Sequence, residues 1–281
     1  MSDDMHERAR RALLTGLRRA RPSVVVDAGG RTARLEDNLV EGIARESFEA
    51  DFRASSGPEF EIEMREPHAS STLAANVFAP WRRDPAGLSL AGETGFSRLG
   101  FDKSCATGLD GPPAFLDLFA ESPQAAIGVE IKLLEYLRQP APGYAEGFQH
   151  ANQQALREIT DARAKSRWFD QIRLLHNDPD ADRVLYAPQL LKQYIALTYC
   201  YPERRKRLLY LYWEPTNWRD FEVFRTHREE LDRFAAALAG DEVGFQAQSF
   251  AELWAGWTTA TEPAWLGAHA RRLQARYDVA L

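Results

Sequence analysis

The chain is 281 residues long, 44% hydrophobic and 27% charged, enough apolar material for one sizeable core without a disulfide or structural-metal staple. Cys105 and Cys200 have no metal-ligand spacing, no apolar run approaches the roughly 20 residues a bilayer requires, and the start lacks the apolar stretch of a secretory signal, so a reducing, cytoplasmic setting without membrane contact is expected. The net charge of -6 is not that of a chain that coats nucleic acid through overall positive charge, so any such contact has to use a local basic face.

In chain order, residues 4–20 read as a basic amphipathic helix carrying Arg8, Arg10, Arg11, Arg18 and Arg19, broken at Arg21-Pro22. A second helix is predicted over 35–50, opened by Glu36-Asp37-Asn38 and carrying Glu41 and Glu46. Residues 59–64 alternate with period two and read as an edge strand. A helix capped by Ser70 or Ser71 follows over 70–78, then a strand over 97–103 and a Gly- and Pro-rich loop over 108–113. Strand-like runs at 115–119 and 127–132 come next, separated by turn-forming residues around Ser122-Pro123-Gln124. A polar stretch over 143–180 reads as a helical insertion, and Pro188 opens a helix in which Gln189 and Lys192, three apart, share a face. The basic run Arg204–Arg207 leads into a strand over 207–213; a helix over 226–239 ending at Gly240 and a strand over 242–247 follow. Trp254, Trp257 and Trp265 near the end are expected to pack a terminal helix onto the core rather than to stack on bases. The whole is expected to form one domain, 1–281, with 1–22 as an N-terminal basic helix.

The chemistry concentrates in the two central runs. Asp117 is the lone charge in the first, and in the second Glu130 and Lys132 project together while Val129, Ile131 and Leu133 project oppositely. An isolated charge half-buried in a sheet is costly unless it is paired or holds a metal. The turn between the runs allows a hairpin in which the three groups converge, and two carboxylates beside one lysine can satisfy one another by taking a divalent cation. The chain has only five lysines, Lys103, Lys132, Lys165, Lys192 and Lys206, and of these Lys132 alone has an acid two positions earlier. A compact ammonium suits a site beside a metal-bound water better than the guanidinium this sequence otherwise favours. The plainer reading is a salt-bridged strand pair on a solvated sheet face.

The pattern of Asp117 on one strand and Glu130-Ile131-Lys132 on the next resembles the PD-(D/E)XK nuclease superfamily. His68-Ala69-Ser70-Ser71-Thr72-Leu73-Ala74-Ala75-Asn76-Val77-Phe78-Ala79-Pro80-Trp81, Leu211-Tyr212-Trp213-Glu214-Pro215 and Ala251-Glu252-Leu253-Trp254 look like a branch of uncharacterised bacterial restriction-endonuclease-like proteins within it. The resemblance runs from about residue 35 to the end. It implies an α/β fold with a mixed central sheet flanked by helices, and a Mg²⁺-dependent endonuclease acting on nucleic acid, DNA first, with Mn²⁺ as a substitute. In that reading Asp117 and Glu130 ligate the metal and Lys132 orients the attacking water or stabilises developing charge. It also implies an acid from the first core helix, for which Glu41 is the first choice and Glu36 and Glu46 are rivals. Some branches use a glutamine and a tyrosine four residues later on a following helix; here Tyr194 lies five after Gln189, so Gln189 and Lys192 are substrate-side or supporting candidates. A homodimer that cuts two strands is compatible with this reading. The alternative is a catalytically idle nuclease fold that binds nucleic acid or a protein partner. A glycosidase built on Asp117 and Glu130 is a third option, and it needs one raised carboxyl pKa beside a lysine that favours ionisation.

Overall fold

The structure, a computed structural model, describes residues 2–109, 111–138, 166–177 and 184–281. The helical insertion expected over 143–180 lies mostly outside the described residues; within it, 167–177 are helical.

Among the described residues five strands form one mixed sheet in the order β1-β2-β3-β4-β5: β1 Arg98–Cys105, β2 Ala114–Glu121, β3 Ala125–Lys132, β4 Arg205–Tyr212 and β5 Val243–Ser249. The first three run antiparallel as a meander, and β3, β4 and β5 run parallel. The helices are α1 Ser2–Ala20, α2 Glu49–Ser56, α3 Phe60–Glu63, α4 Ser70–Phe78, α5 Arg167–Asn177, α6 Ala187–Cys200, α7 Glu222–Ala237, α8 Phe250–Thr259 and α9 Leu266–Tyr277. None of them is long and apolar enough to cross a membrane.

The sheet is covered on both faces, which is why β3 reads as a nearly continuous apolar run. Ile127, Val129 and Ile131 enter a core shared with α1, α4, α8 and α9. Ala126, Leu208 and Tyr210 face α5, α6 and α7. Gly128 lets α6 lie close on β3: a Cβ there would stand 2.9 Å from Leu116 Cδ2 and 3.2 Å from Leu197 Cδ1.

The chain ends are tied together at a buried arginine. Arg276 of α9, 2% exposed, donates to Leu13 O at 2.9 Å, Asn38 Oδ1 at 2.7 Å and Pro67 O at 3.1 Å. Gly16 abuts it so closely that a Cβ would fall 2.3 Å from Arg276 O. Four arginines of α1 are engaged within the protein, Arg10 and Arg11 pairing with Glu7, Arg8 lying over Phe221 and Arg19 donating to Ala275 O and Asp278 O at the end of α9, while Arg18 is exposed.

Four expectations from sequence are corrected. The helix over 35–50 is instead two single turns, Leu35–Asn38 and Arg45–Ser47, before α2. Gly42 at φ 89° breaks the segment, and its polar groups are bound elsewhere: Asn38 Nδ2 donates to Met64 O and Glu66 O, and Val40 N donates to Asn76 Oδ1. Residues 59–64 form a turn and α3, because Phe60 and Met64 are buried at helical spacing while Ile62 between them is 53% exposed. The cap of α4 is Ala69, with no side-chain cap; Ser71 reaches Glu63 instead. The helix expected over 226–239 begins at Glu222, and Gly240 follows its end with φ 80°. Trp254 and Trp257 are buried in the core as expected, and Trp265 sits against Trp81 with ring centroids 4.8 Å apart.

Candidate active site

The site lies where β2 and β3 part. Their antiparallel ladder runs from Glu121↔Ala126 to Leu118↔Val129 and stops. Continued by one pair, it would set Asp117 opposite Glu130. Instead the Asp117 carboxylate takes the place of a strand carbonyl, Oδ2 accepting from Ile131 N at 2.6 Å. Phe115 O, left without a partner from β3, accepts from Gln193 Nε2 at 2.8 Å. The same Gln193 amide donates to the Glu130 carboxylate, so one side chain from α6 fills the split.

Glu130 is fully buried and ion-paired with Lys132, whose ammonium also donates to Gln189 Oε1 at 2.9 Å. Gln189 and Gln193 are one helical turn apart, so α6 presents both to the pair. Just past β3, Glu135 closes the turn by accepting from Leu133 N at 2.7 Å and Leu134 N at 3.0 Å.

Negative charge outweighs positive here. Loss of hydration and then the neighbouring Glu130 push the Asp117 carboxyl well above the usual carboxylate range, against the opposing pull of Lys132 and the Ile131 amide. Burial alone would lower the Lys132 pKa, but Glu130, Asp117 and Glu135 more than offset it, and the side chain stays an ammonium. Glu63, at the end of α3, is raised first by burial and then by the charges of Glu135 and Asp102. Glu135 thus bears on both Asp117 and Glu63.

A hard divalent cation fits this donor set. Glu130 Oε1 is buried and has no aligned hydrogen bond, only the Lys132 ion pair, and Asp117 holds a carboxyl whose charge lacks a full counterpart. No group of three His, Cys, Asp or Glu side chains able to hold a metal occurs among the described residues. Asp117 and Glu130 would therefore supply two carboxylates, with water or substrate oxygens completing the shell, the mode in which Mg²⁺ is commonly bound.

The structure brings together Asp117, Glu130, Lys132 and Gln189. It does not bring Glu41 to them: with the 35–50 helix absent, Glu41 sits in a surface turn, its side chain 82% exposed and 3.6 Å from Arg272. Its rival Glu36 pairs with Arg45. Lys192 is half-buried on α6, its pKa lowered by burial, and has no ion-pair partner among the described residues. Tyr194 turns away from the site to stack on Trp168 at 4.8 Å. The Arg204–Arg207 run lies at the start of β4, the opposite end of the sheet from Lys132, and is largely neutralised: Arg204 pairs with Glu121, Arg205 and Arg207 with Glu93, and Lys206 is buried against the carbonyls of Tyr201, Pro202 and Arg204. Sequence reasoning missed Gln193 and Glu135. The signal for Gln193 was present, since a second glutamine four residues after Gln189 shares its face.

Comparison with protein families matches residues 19–278 to the family described as restriction endonuclease associating with ARP. The chain belongs to that family. The mixed five-stranded sheet with helices on both faces is accordingly a restriction-endonuclease-like α/β fold. Comparisons with curated proteins and with solved structures gave no match.

Proposed function

We propose that this member of the restriction endonuclease family is a Mg²⁺-dependent nuclease of the PD-(D/E)XK type that hydrolyses phosphodiester bonds in DNA. The observation that carries the reading is the convergence of Asp117, Glu130 and Lys132 in the gap between two separating strands. A divalent cation held by Asp117 and Glu130 would lower the pKa of a bound water and neutralise phosphate charge.

The chain's own groups divide the remaining work. Glu130, fixed by Gln193 and Lys132, is a preoriented ligand that needs no reorganisation when substrate arrives. Lys132 is held protonated between Glu130 and Gln189, so it acts as a donor to a phosphate oxygen or to the attacking water rather than as the base. Lys192, with no ion partner among the described residues, lies on the same helix as Gln189 and would be placed to meet a phosphate.

The test is calorimetric titration of Mg²⁺ and Mn²⁺ into wild type and Asp117→Asn, with supercoiled plasmid and single-stranded DNA cleavage in parallel. Metal binding and cleavage that are both lost in the variant are expected. Cleavage that persists in Asp117→Asn and Lys132→Ala would refute the assignment, and absent metal binding in the wild type would point to a nuclease fold retained as a binding module.

A further inference from the structure

The β1–β2 ladder is complete from Arg98↔Glu121 to Cys105↔Ala114 with one omission, the pair Asp102 and Asp117. At that place Asp102 has φ 45°, in the left-handed region that side-chain-bearing residues enter rarely and Asp more readily than most. Both strands change their buried face there. Leu99, Phe101, Leu118 and Ala120 belong to the core beside α4 and α8, whereas Cys105, Ala114 and Leu116 belong to the core beside α6. A regular strand keeps side chains two apart on one face, so the hairpin turns over at this single residue pair.

The turnover is fastened from outside the sheet. Ser55 and Ser56, at the end of α2, both donate hydroxyl hydrogen bonds to the Asp102 carboxylate, the second at 3.2 Å. Its consequence is local to the site: beyond Leu118, β2 leaves the β3 ladder, and the Asp117 side chain takes the Ile131 amide. Backbone held in a sparsely populated region persists only where its surroundings fix it, and such places cluster at functional sites.

We propose that Asp102 is a positioning residue: its left-handed backbone, fixed by Ser55 and Ser56, turns the β1–β2 hairpin over and thereby sets the Asp117 carboxylate beside Glu130. The role of Asp117 as a site carboxylate rests on the nuclease reading above; the placement itself does not.

The experiment is amide hydrogen exchange of the metal-free full chain by NMR, with Mn²⁺ titrations alongside, on Asp102→Val, Asp102→Asn and the double variant Ser55→Ala/Ser56→Ala. A β-branched residue resists φ 45°, while Asn tolerates it and can keep one serine contact. Exchange at Ile131 is expected to accelerate at least tenfold in Asp102→Val and in the serine double variant and to stay near wild type in Asp102→Asn, with Ile127 and Val129 unchanged in all three. If Asp102→Val fails to fold, the serine variant, which leaves the sheet residues intact, carries the test. Wild-type protection of Ile131 in either folded variant would overturn the proposal. Should Ile131 protection follow residue 102 while wild type binds no Mn²⁺, the positioning role stands and the nuclease reading falls; Mn²⁺ binding in wild type with unmoved Ile131 protection defeats the positioning role alone.

Discussion

Among the described residues Lys132 is the one cation set against Glu130 and Asp117, and its removal is the sharpest stability test of the site. Glu130 is fully buried, and the Lys132 side chain is only 13% exposed. Opposite charges in contact at about 3 Å attract by about 5 kcal/mol at an effective dielectric of about 20. Removing one member of a buried pair typically costs about 3–5 kcal/mol, because the survivor is left uncompensated. Lys132→Met, close in length, is therefore expected to lower the unfolding free energy at pH 7 by about 3–5 kcal/mol in metal-free protein. Removing Lys132 also removes the pull that lowers the Asp117 carboxyl, which burial and Glu130 already hold above its ordinary range; a carboxyl raised in the folded state contributes stability at low pH that is lost as pH rises, so the deficit is expected to be smaller at pH 5 than at pH 7. Adding Glu130→Gln to Lys132→Met removes the stranded charge while keeping an acceptor for Gln193, and should recover most of the loss. Urea unfolding of the three proteins at both pH values decides the matter. A deficit under about 1 kcal/mol in Lys132→Met, or no recovery in the double variant, would refute the view of Lys132 as the buried counter-charge.

Gly128→Ala forces a Cβ within 2.9 Å of Leu116 and 3.2 Å of Leu197, and is expected to destabilise by about 1–3 kcal/mol in urea unfolding. His227, bonded to Tyr210 and stacked on Tyr136 at 4.0 Å, is lowered by burial to about 3, and His269, likewise desolvated, to about 4. Both are depressed below the ordinary 6.5, so their contribution is intact above pH 6.5 and lost as pH falls toward those values. Between pH 7 and pH 5 the pair should cost about 4 kcal/mol of stability, and His227→Phe should halve that slope in denaturant titrations. Mn²⁺ at a hundredfold excess over its dissociation constant should stabilise wild type by about 2.7 kcal/mol, reversibly with a chelator, and Asp117→Asn should show no such gain in thermal unfolding.

The grouping of Asp117, Glu130 and Lys132 was legible where chemistry and pattern disagree. Charges at Asp117, Glu130 and Lys132 interrupt strand-like apolar runs, and nothing in packing calls for them. Glu41 was not legible, because an acid in a helix-like stretch carries no such contrast; Gly42 and the side-chain bonds of Asn38 and Asn76 decide that segment from a distance. Residues 59–64 satisfy a strand pattern and a helix pattern at once, and only the burial of both Phe60 and Met64 selects between them. Gln193 was missed although it shares a helix face with Gln189, because its contacts depend on the gap between β2 and β3, which a period-two reading of either strand does not reveal. Asp102 was hidden for the same reason: a left-handed residue inside a strand leaves no trace in composition.

The buried Arg276 has a practical corollary for anyone cutting this chain. The family match begins at residue 19, yet the guanidinium grips the carbonyl of Leu13, and Ala9, Leu13 and Leu17 are wholly enclosed. Trimming to the matched segment would strip the lid from an ion that water cannot reach and open a greasy trough along α9. The edge of shared ancestry and the edge of cooperative folding therefore fall at different places, and deletion series should keep the first helix.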